Sequence, residues 1–166
     1  MASSSKTEQK KMLILKSSEE EEFEIEESIA VQSGTIKNMV EDDFTLIPLP
    51  NVDTETLIKI IKYMKKHGEK TKSNEKDIEE FDKEFVKKSF TELKELVLAA
   101  NYLHITSLID LLCQAFADRI KNKSVKAIRE IFGIPNDFTP EEEAEVYEQH
   151  KWAHEEGKEH IDHSAY

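Results

Sequence analysis

The sequence predicts a mostly helical α/β fold, and three observations support this prediction. Short runs near the N-terminus are typical of strands: Met12-Leu13-Ile14-Leu15 is apolar, and Phe23 and Ile25 alternate with glutamates. The segment from Phe90 to Ile120 is the most apolar part of the chain and has helical spacing. The length of 166 residues allows one domain with a helical appendage.

The apolar segment predicts two successive helices. In the first, one continuous helical stripe is formed by Leu93, Leu96, Val97, Ala100 and Leu103. The second begins at Thr106, a residue type that favours the N-cap, and its apolar side chains cover more than half of its circumference. Such a helix either lies at the centre of one core or packs with one face and offers the other face to a partner.

The two predicted N-terminal strands form a hairpin. The connection Ser17–Glu21 has no Gly or Asn to adopt positive φ, so we expect it to be strained or longer than two residues. Two short helices should follow, one capped by Ser28 and reaching Gln32, the other from Thr35 to Val40. Residues 1–11 are rich in Ser and Lys and are predicted to be disordered.

The middle of the chain predicts one edge strand and one long helix. Leu46–Pro50 contains two prolines, which restricts it to the edge of a sheet. Asp53 or Thr54 caps the next helix, and Gly68 ends it. The side chains predicted to face the core from this helix are Leu57, Ile58, Ile61 and Met64. Residues 69–80 are dominated by charge and predict a linker.

The C-terminal part predicts two further helices. The first spans Ser124–Phe132 and stops at Gly133. The second has a clear start signal: Thr139 is the N-cap, Pro140 takes the first helical position, and Glu142 completes a capping box. We expect that last helix to reach about His154.

Composition excludes several classes of function. The net charge of -12 argues against nucleic acid, which needs clusters of Lys and Arg, and against anionic membrane surfaces. No apolar run approaches the length of a membrane span. Cys113 is the single cysteine; it excludes an intrachain disulfide and is predicted to be buried and inert. One thiol and no signal peptide predict the cytoplasm or nucleus.

The residue pattern offers no catalytic, cofactor or metal site. The four glycines are scattered, so there is no phosphate-binding loop, and Cys113 has no histidine at a telling spacing. His150 and His154 lie four residues apart on one helix, but two ligands do not close a structural zinc site, even with His160 and His163 nearby in the sequence. Apolar surface in excess of a small core is instead typical of a binding module and not of an enzyme.

Four sequence stretches resemble one known family. They are Leu98-Ala99-Ala100-Asn101-Tyr102-Leu103, Asn136-Asp137-Phe138-Thr139-Pro140-Glu141-Glu142-Glu143, Pro48-Leu49-Pro50-Asn51-Val52 and Ser33-Gly34-Thr35-Ile36. In this order they resemble the Skp family, the adaptors that join cullin scaffolds to F-box proteins in SCF ubiquitin ligases. The sequence as a whole is similar to plant members of that family. The resemblance covers about Met12 to Trp152.

The resemblance implies a BTB/POZ-like fold with a C-terminal helical extension that binds the F-box. The implied organisation is a disordered tail at 1–11, a BTB/POZ-like domain at 12–117 with the charged linker at 69–80, the extension at 118–155 and a flexible tail at 156–166. No enzymatic activity is implied.

The implied contacts fall into two groups. The cullin group is Asn101, Tyr102 and Lys94, with Pro48 as a neighbour. The F-box group is Leu108, Leu111, Leu112, Ala115, Ile128, Ile131, Phe132, Val146 and Trp152. For each apolar member the alternative is a place in the core of this chain.

The sequence departs from the family pattern at several positions. Lys94 stands where the family commonly has Phe, and because it is seven residues from Asn101 it shares a helix face with it. Ser124-Val125-Lys126-Ala127 lacks the usual capping-box acid, which predicts a loss of about 1 kcal/mol at that helix start. The Asp-Gly of the family's first hairpin is replaced by Glu19-Glu20.

Three hypotheses about function remain open at this point. The first is an adaptor that bridges a cullin and F-box proteins in the nucleus and cytoplasm and forms a weak homodimer when free. The second is a divergent paralogue that binds F-box proteins without a cullin, since Lys94 changes the implied contact. The third is an adaptor resembling elongin C, but that relative ends near the helix after Leu103, whereas this chain continues from Ser124 to Trp152.

Overall fold

The structure, a computed structural model, describes residues 10–71 and 73–151. In chain order the elements are β1 (Met12–Lys16), β2 (Glu22–Glu26), α1 (Glu27–Ala30), α2 (Gly34–Glu41), β3 (Leu46–Pro48), α3 (Thr54–Gly68), α4 (Glu75–Phe85), α5 (Phe90–Tyr102), α6 (Thr106–Ile120), α7 (Val125–Phe132) and α8 (Pro140–Gln149). The prediction of a mostly helical α/β chain is confirmed.

The chain forms two compact units, and the division falls between Cys113 and Gln114, inside α6. The first unit contains the sheet, α1 to α5 and the start of α6. The second contains the rest of α6 together with α7 and α8. The boundary predicted from the sequence, between residues 117 and 118, lies in the same helix.

The sheet has three strands in the order β2-β1-β3. β1 pairs antiparallel with β2 and parallel with β3, so β3 is an edge strand, as its prolines predicted. Because successive side chains alternate between the two faces of a strand, one face carries the buried residues Leu13, Leu15, Ile25 and Ile47. The helices α1 and α3 pack together in the same unit, and α3 also packs on α5.

The hairpin connection is five residues long, which confirms that it exceeds two residues. Glu20 has a φ of 68°, so a non-glycine residue takes the positive value that the turn requires. The Ser17 side chain is buried, and its Oγ accepts hydrogen bonds from the N–H groups of Glu19 at 3.3 Å and Glu21 at 3.2 Å. This hydroxyl therefore organises the turn in place of a glycine.

The prediction of a linker over 69–80 is wrong in its second half, because α4 begins at Glu75. Ile78 and Phe85 of α4 are buried, and Phe81 is partly buried beside them. His67 near the end of α3 stacks on Tyr63 with ring centroids 4.1 Å apart, and its Nε2 lies 2.8 Å from Oδ1 of Asp82 in α4. Among the many charged residues, Ile78, Phe81 and Phe85 form an apolar stripe with helical spacing.

Three smaller predictions are also wrong. Ile58 is 48% exposed, because the buried stripe of α3 follows Leu57, Ile60, Ile61 and Met64 and leaves position 58 on another face. Cys113 is exposed, because it follows the buried Leu112 by one residue, or about 100° around α6. Ser28 caps nothing, because α1 already begins at Glu27.

The predicted signals of the C-terminal helices are confirmed. Ser124 caps α7 and accepts a hydrogen bond from the N–H of Ala127, although the acid of a full capping box is missing. Gly133 ends α7 with a φ of 63°. Thr139 and Glu142 form the reciprocal capping box of α8, with Pro140 in its first turn. His154 lies outside the described residues.

The start of α5 is held by a capping box and an ion pair. Ser89 is the N-cap, and Glu92 accepts hydrogen bonds from the backbone N–H of Ser89 at 3.1 Å and from Lys59 Nζ of α3 at 2.9 Å. The hydrogen bond from Lys59 and those from Ser89 lower the pKa of Glu92 from 4.5 to about 2. One carboxylate thus caps α5 and joins it to α3.

We predict that Glu92→Gln removes an acid-sensitive part of the stability. Because the pKa of Glu92 is depressed in the folded chain, its contribution is complete above about pH 4.5 and is lost as the pH falls towards 2. The side chain is 42% exposed, so screening limits the loss in Glu92→Gln at pH 7 to roughly 0.5–1 kcal/mol. Urea unfolding at pH 7, 4 and 2.5 measures the difference.

The control for this prediction is Glu95→Gln, which changes an exposed glutamate of α5 that forms no ion pair within the described residues. Wild type and Glu95→Gln should lose stability in parallel, and Glu92→Gln should converge on both at low pH. A constant difference between Glu92→Gln and wild type across the three pH values would contradict the assignment.

Candidate binding surfaces

The C-terminal end of α5 closes with a helix-terminating pattern of hydrogen bonds. The N–H of Ile105 donates to the carbonyl of Ala100 at 3.0 Å, and the N–H of His104 donates to that of Asn101 at 3.1 Å. His104 has a φ of 53°, the left-handed conformation that glycine usually supplies here. This pattern, a Schellman motif, turns the chain sharply from α5 into α6.

The same end of α5 is joined to the start of α2. Ser33, fully buried, donates from Oγ to the carbonyl of Leu103 at 2.5 Å, and Thr35 donates from Oγ1 to the carbonyl of Tyr102 at 2.8 Å. The backbone N–H of Gly34 donates to the carbonyl of His104 at 3.2 Å. Carbonyls at one helix end therefore meet N–H and hydroxyl donors at the start of another helix.

Gly34 favours this close approach. A Cβ at position 34 would lie 3.2 Å from the Cβ of His104, which is tighter than an ordinary contact between side chains. The Ser33-Gly34-Thr35 and Asn101-Tyr102-Leu103 stretches, which carried much of the sequence resemblance, are thus two sides of one junction. The junction sets the position of Asn101 and Tyr102 relative to the sheet and α2.

Three of the four residues predicted for the cullin contact are accessible. Lys94 and Asn101 are exposed, seven residues apart on α5, and Pro48 is exposed on β3. Tyr102 is half-buried. The predicted shared face of Lys94 and Asn101 therefore exists in the structure, whereas their role in binding stays a prediction.

Sequence reasoning missed Leu98, which is 56% exposed. It lies four residues after Lys94 and three before Asn101, so the three side chains follow one another along the same face of α5. The signal was present in the sequence, because Leu98 falls outside the stripe that contains Leu96 and Ala100. We call Lys94, Leu98, Asn101 and Tyr102 the α5 surface: an apolar side chain framed by polar ones.

The residues predicted for F-box binding on α6 are mostly buried. Leu108 and Leu112 have no exposed surface and Ala115 is 8% exposed, while Leu111 is half-buried. These burials agree with the alternative of a place in the core. Direct contact at Leu108 or Leu112 would require α6 to lose its present neighbours, so Leu111 is the accessible position of this group.

In the second unit the predicted residues are more open. Ile128 and Ile131 of α7 are half-buried, Phe132 is 47% exposed and Val146 of α8 is 39% exposed. No residue of α7 or α8 falls into the buried class. Trp152, the last predicted contact, lies outside the described residues. The second unit thus presents apolar side chains that its own helices do not cover.

The connection between α7 and α8 is held by polar contacts. Arg129 lies 3.3 Å from the carboxylate of Glu143, and its guanidinium sits 5.5 Å from the centre of the Phe138 ring. Asn136 donates to the same Glu143 oxygen at 3.1 Å. A cleft of about 630 Å³ lies beside these residues, lined also by Lys126 and Ile134. These three contacts orient the connection without burying it.

Sequence reasoning also missed part of the apolar surface in the second unit. The further large apolar side chains that are exposed here are Val125, Ile134, Phe138 and Tyr147. With Phe132 and Val146 they are six exposed aromatic and branched side chains in the second unit, the composition typical of the centre of a protein interface. We call these six residues the α7–α8 surface.

The described residues contain no group of three or more His, Cys, Asp or Glu side chains that would hold a metal ion. His154, His160 and His163 of the predicted histidine set lie outside them. Of the helices that the structure describes, none combines the length and the apolar character needed to cross a membrane.

Two family models match the chain. Residues 11–69 match the tetramerisation domain of the Skp1 family, and residues 106–153 match the dimerisation domain of the same family. Together the two matches cover more than half of the chain, and the first agrees with the BTB/POZ-like fold implied by the sequence.

Curated relatives agree with these matches. The chain is 48% identical to SKP1-like protein 11 of Arabidopsis thaliana over 149 residues, which span 87% of this chain and 98% of the relative. It is 49% identical to SKP1-like protein 4 of the same plant over 161 residues, 89% of this chain and 99% of the relative. Similarity extends to the S-phase kinase-associated protein 1 homolog of Tetrahymena thermophila, with 47% identity over 80% of this chain and 88% of the relative.

We predict that Ser33→Ala destabilises the first unit by about 2 kcal/mol. The change removes a buried donor to the carbonyl of Leu103 and the cap of the Ile36 N–H at 3.2 Å. Ser28→Ala is the control, since Ser28 is exposed and its hydroxyl makes no hydrogen bond within the described residues. Urea unfolding of the full chain should separate the two variants; equal stability would show that the junction contributes little.

Proposed function

The chain belongs to the Skp1 family, and on that premise we propose that it is the adaptor subunit of an SCF-type ubiquitin ligase, linking F-box proteins to a cullin scaffold. Family matches in both the N-terminal and the C-terminal part of the chain are the observation that carries this proposal. The adaptor works by proximity: a bridge between two proteins raises the effective concentration of substrate near the transfer machinery without chemistry of its own.

The α7–α8 surface is the part that we assign to F-box proteins. Its exposed aromatic and branched side chains supply apolar area of the kind that forms a stable interface, and the polar contacts around Arg129 keep the connection in place. Half-buried Ile128 and Ile131 lie on the same helix as Phe132 and add to this area. Leu111, Ala115 and Trp152 remain in the proposed set, whereas Leu108 and Leu112 are fully buried.

The α5 surface is the part that we assign to the cullin. Leu98 supplies the apolar centre, and Asn101 supplies an exposed amide that donates and accepts hydrogen bonds. Lys94 forms no ion pair within the described residues, so its aliphatic stem is free to lie along a partner while its ammonium stays in water. Pro48 is a further candidate on β3.

The second hypothesis, an F-box holder without a cullin, keeps one specific observation in its favour. Lys94 is exposed on the α5 surface beside Leu98, where a charge that must be desolvated weakens an apolar contact. The elongin C-like alternative has no comparable support, since the family match continues to residue 153. We assign the chain to the nucleus and cytoplasm, and we expect a weak homodimer when its apolar surfaces have no partner.

We predict that Leu98→Asp weakens cullin binding at least about tenfold, while Lys94→Phe changes it less than about threefold. The measurement is a titration of the cullin N-terminal domain into the full chain bound to an F-box protein. Ile58→Asp is the matched control, because Ile58 is 48% exposed on α3 and belongs to neither proposed surface. Absence of wild-type binding, restored by Lys94→Phe, would establish the second hypothesis instead.

We predict that the double variant Phe132→Ser/Val146→Ser weakens the F-box complex at least about tenfold, because two side chains lose apolar area that the partner would cover. Leu98→Ser is the reciprocal control and should leave F-box affinity unchanged. Calorimetry with a purified F-box protein gives both affinities. Equal losses in the two variants would indicate general destabilisation and not an interface on α7 and α8.

A further inference from the structure

The outer face of the sheet carries an apolar row that the described part of the chain leaves exposed. Met12 and Ile14 of β1 point away from the buried side of the sheet, and Leu46 lies directly opposite Ile14 on β3. Met12 and Leu46 are each 45% exposed, and Ile14 is half-buried between them. A sheet usually buries both faces or presents a polar one, so this row is unusual.

Phe44, a further exposed apolar residue, lies two residues before Leu46, just ahead of β3. The N–H of Ile14 donates to the carbonyl of Thr45 at 2.9 Å, which brings the residues on either side of Thr45 close to β1. Phe44 is 54% exposed, among the largest values for a bulky apolar side chain in the described residues. We call Met12, Ile14, Phe44 and Leu46 the sheet patch.

Negative charge borders the sheet patch on two sides. Glu24 lies opposite Ile14 on β2 and Glu22 lies opposite Lys16, both exposed and on the same face as the patch. Glu41, Asp42 and Asp43, all exposed, lead into Phe44. None of these five carboxylates takes part in an ion pair within the described residues.

Lys10, Lys11 and Lys16 neutralise this border only in small part. Lys16 pairs with Glu20, which lies in the hairpin turn. Lys10 pairs with Glu26 at 2.8 Å, and Lys11 pairs with Glu27 at 2.7 Å. These three lysines are thus paired with carboxylates other than the five, although the charge of Lys16 also acts on Glu22, and the apolar row keeps an acidic rim.

We propose that the sheet patch is a docking surface for an amphipathic helix of a partner protein whose apolar stripe is flanked by Lys and Arg. The apolar stripe would cover Met12, Phe44 and Leu46, and the flanking cations would meet the carboxylates of β2 and of the turn after α2. Charge complementarity selects this occupant, because the charges around such a surface attract partners of the opposite charge and fix how those partners align on it.

A second copy of this chain, or one of its own terminal segments, is a less suitable occupant of the sheet patch. A second copy carries the same net charge of -12 and would place carboxylate against carboxylate. The sequence before Lys10 has Met1 as its one large apolar residue, and the segment after Lys151 holds four acidic residues and one lysine, Lys158. The sheet patch shares no residue with the α5 surface or the α7–α8 surface and has a different charge requirement, although Pro48, the further cullin candidate, lies on the same face of β3 two residues after Leu46.

The test is a binding titration of the full chain with a fluorescein-labelled helical peptide of leucine and lysine that has one apolar face, at 0.15 M salt. The variant Met12→Ser/Phe44→Ser/Leu46→Ser should lower affinity at least about tenfold, and Ile58→Ser should leave it unchanged. A second variant, Glu22→Gln/Glu24→Gln, removes rim charge without touching the apolar row. Its control, Glu75→Gln/Glu79→Gln, removes two exposed charges from α4.

Each alternative has its own outcome. The triple variant Met12→Ser/Phe44→Ser/Leu46→Ser is called the patch variant. If it binds the peptide as tightly as Ile58→Ser does, and both variants have a native circular dichroism melt, the binding is general charge attraction and the proposal is overturned. Displacement of the peptide by the cullin N-terminal domain, with weaker cullin binding in the patch variant, would assign the patch to the cullin. Self-association in sedimentation equilibrium that only the patch variant loses would assign it to a second copy.

Discussion

The structure of the first unit depends on the hydrogen bonds that join the end of α5 to the start of α2. The buried Ser33 hydroxyl and the Thr35 hydroxyl satisfy carbonyls that a helix end leaves unpaired, and Gly34 allows the two backbones to approach. Because α2 leads into β3 and α5 leads into α6, this junction links the α2–β3 segment of the chain to the α5–α6 segment. The α5 surface takes its position from the same contacts.

The two units differ in how far they bury their apolar side chains. The first has a core that includes Leu13, Leu57 and Leu96, together with a charged exterior. The second has no buried residue in α7 or α8, and its helices are defined by caps and polar contacts more than by packing. Short helices without a core gain most of their stability from what they pack against, so the second unit is suited to acquiring part of its order from a partner.

Several features of the site could be predicted from particular residues. The Thr139 capping box, the Gly133 stop and the two helices between Phe90 and Ile120 follow from local chemistry, and Lys94 and Asn101 share a face because they are two turns apart. Leu98 was equally predictable, since it lies outside the buried stripe. The linker prediction over 69–80 was wrong because charge density was weighed above the spacing of Ile78, Phe81 and Phe85, which packing with Tyr63 and His67 turns into a helix.

By itself the sequence determined the class of the fold, the ends of most helices and the Skp family, because caps, prolines and apolar periods act over a few residues. Only the tertiary structure decided which apolar residues remain exposed. Leu108 and Leu112 are buried whereas Phe44 and Leu46 are exposed, and Ile58 is exposed beside buried Leu57. Burial depends on neighbours that are distant in the chain, such as the pairing of Ile14 with Leu46, and no local pattern contains that information.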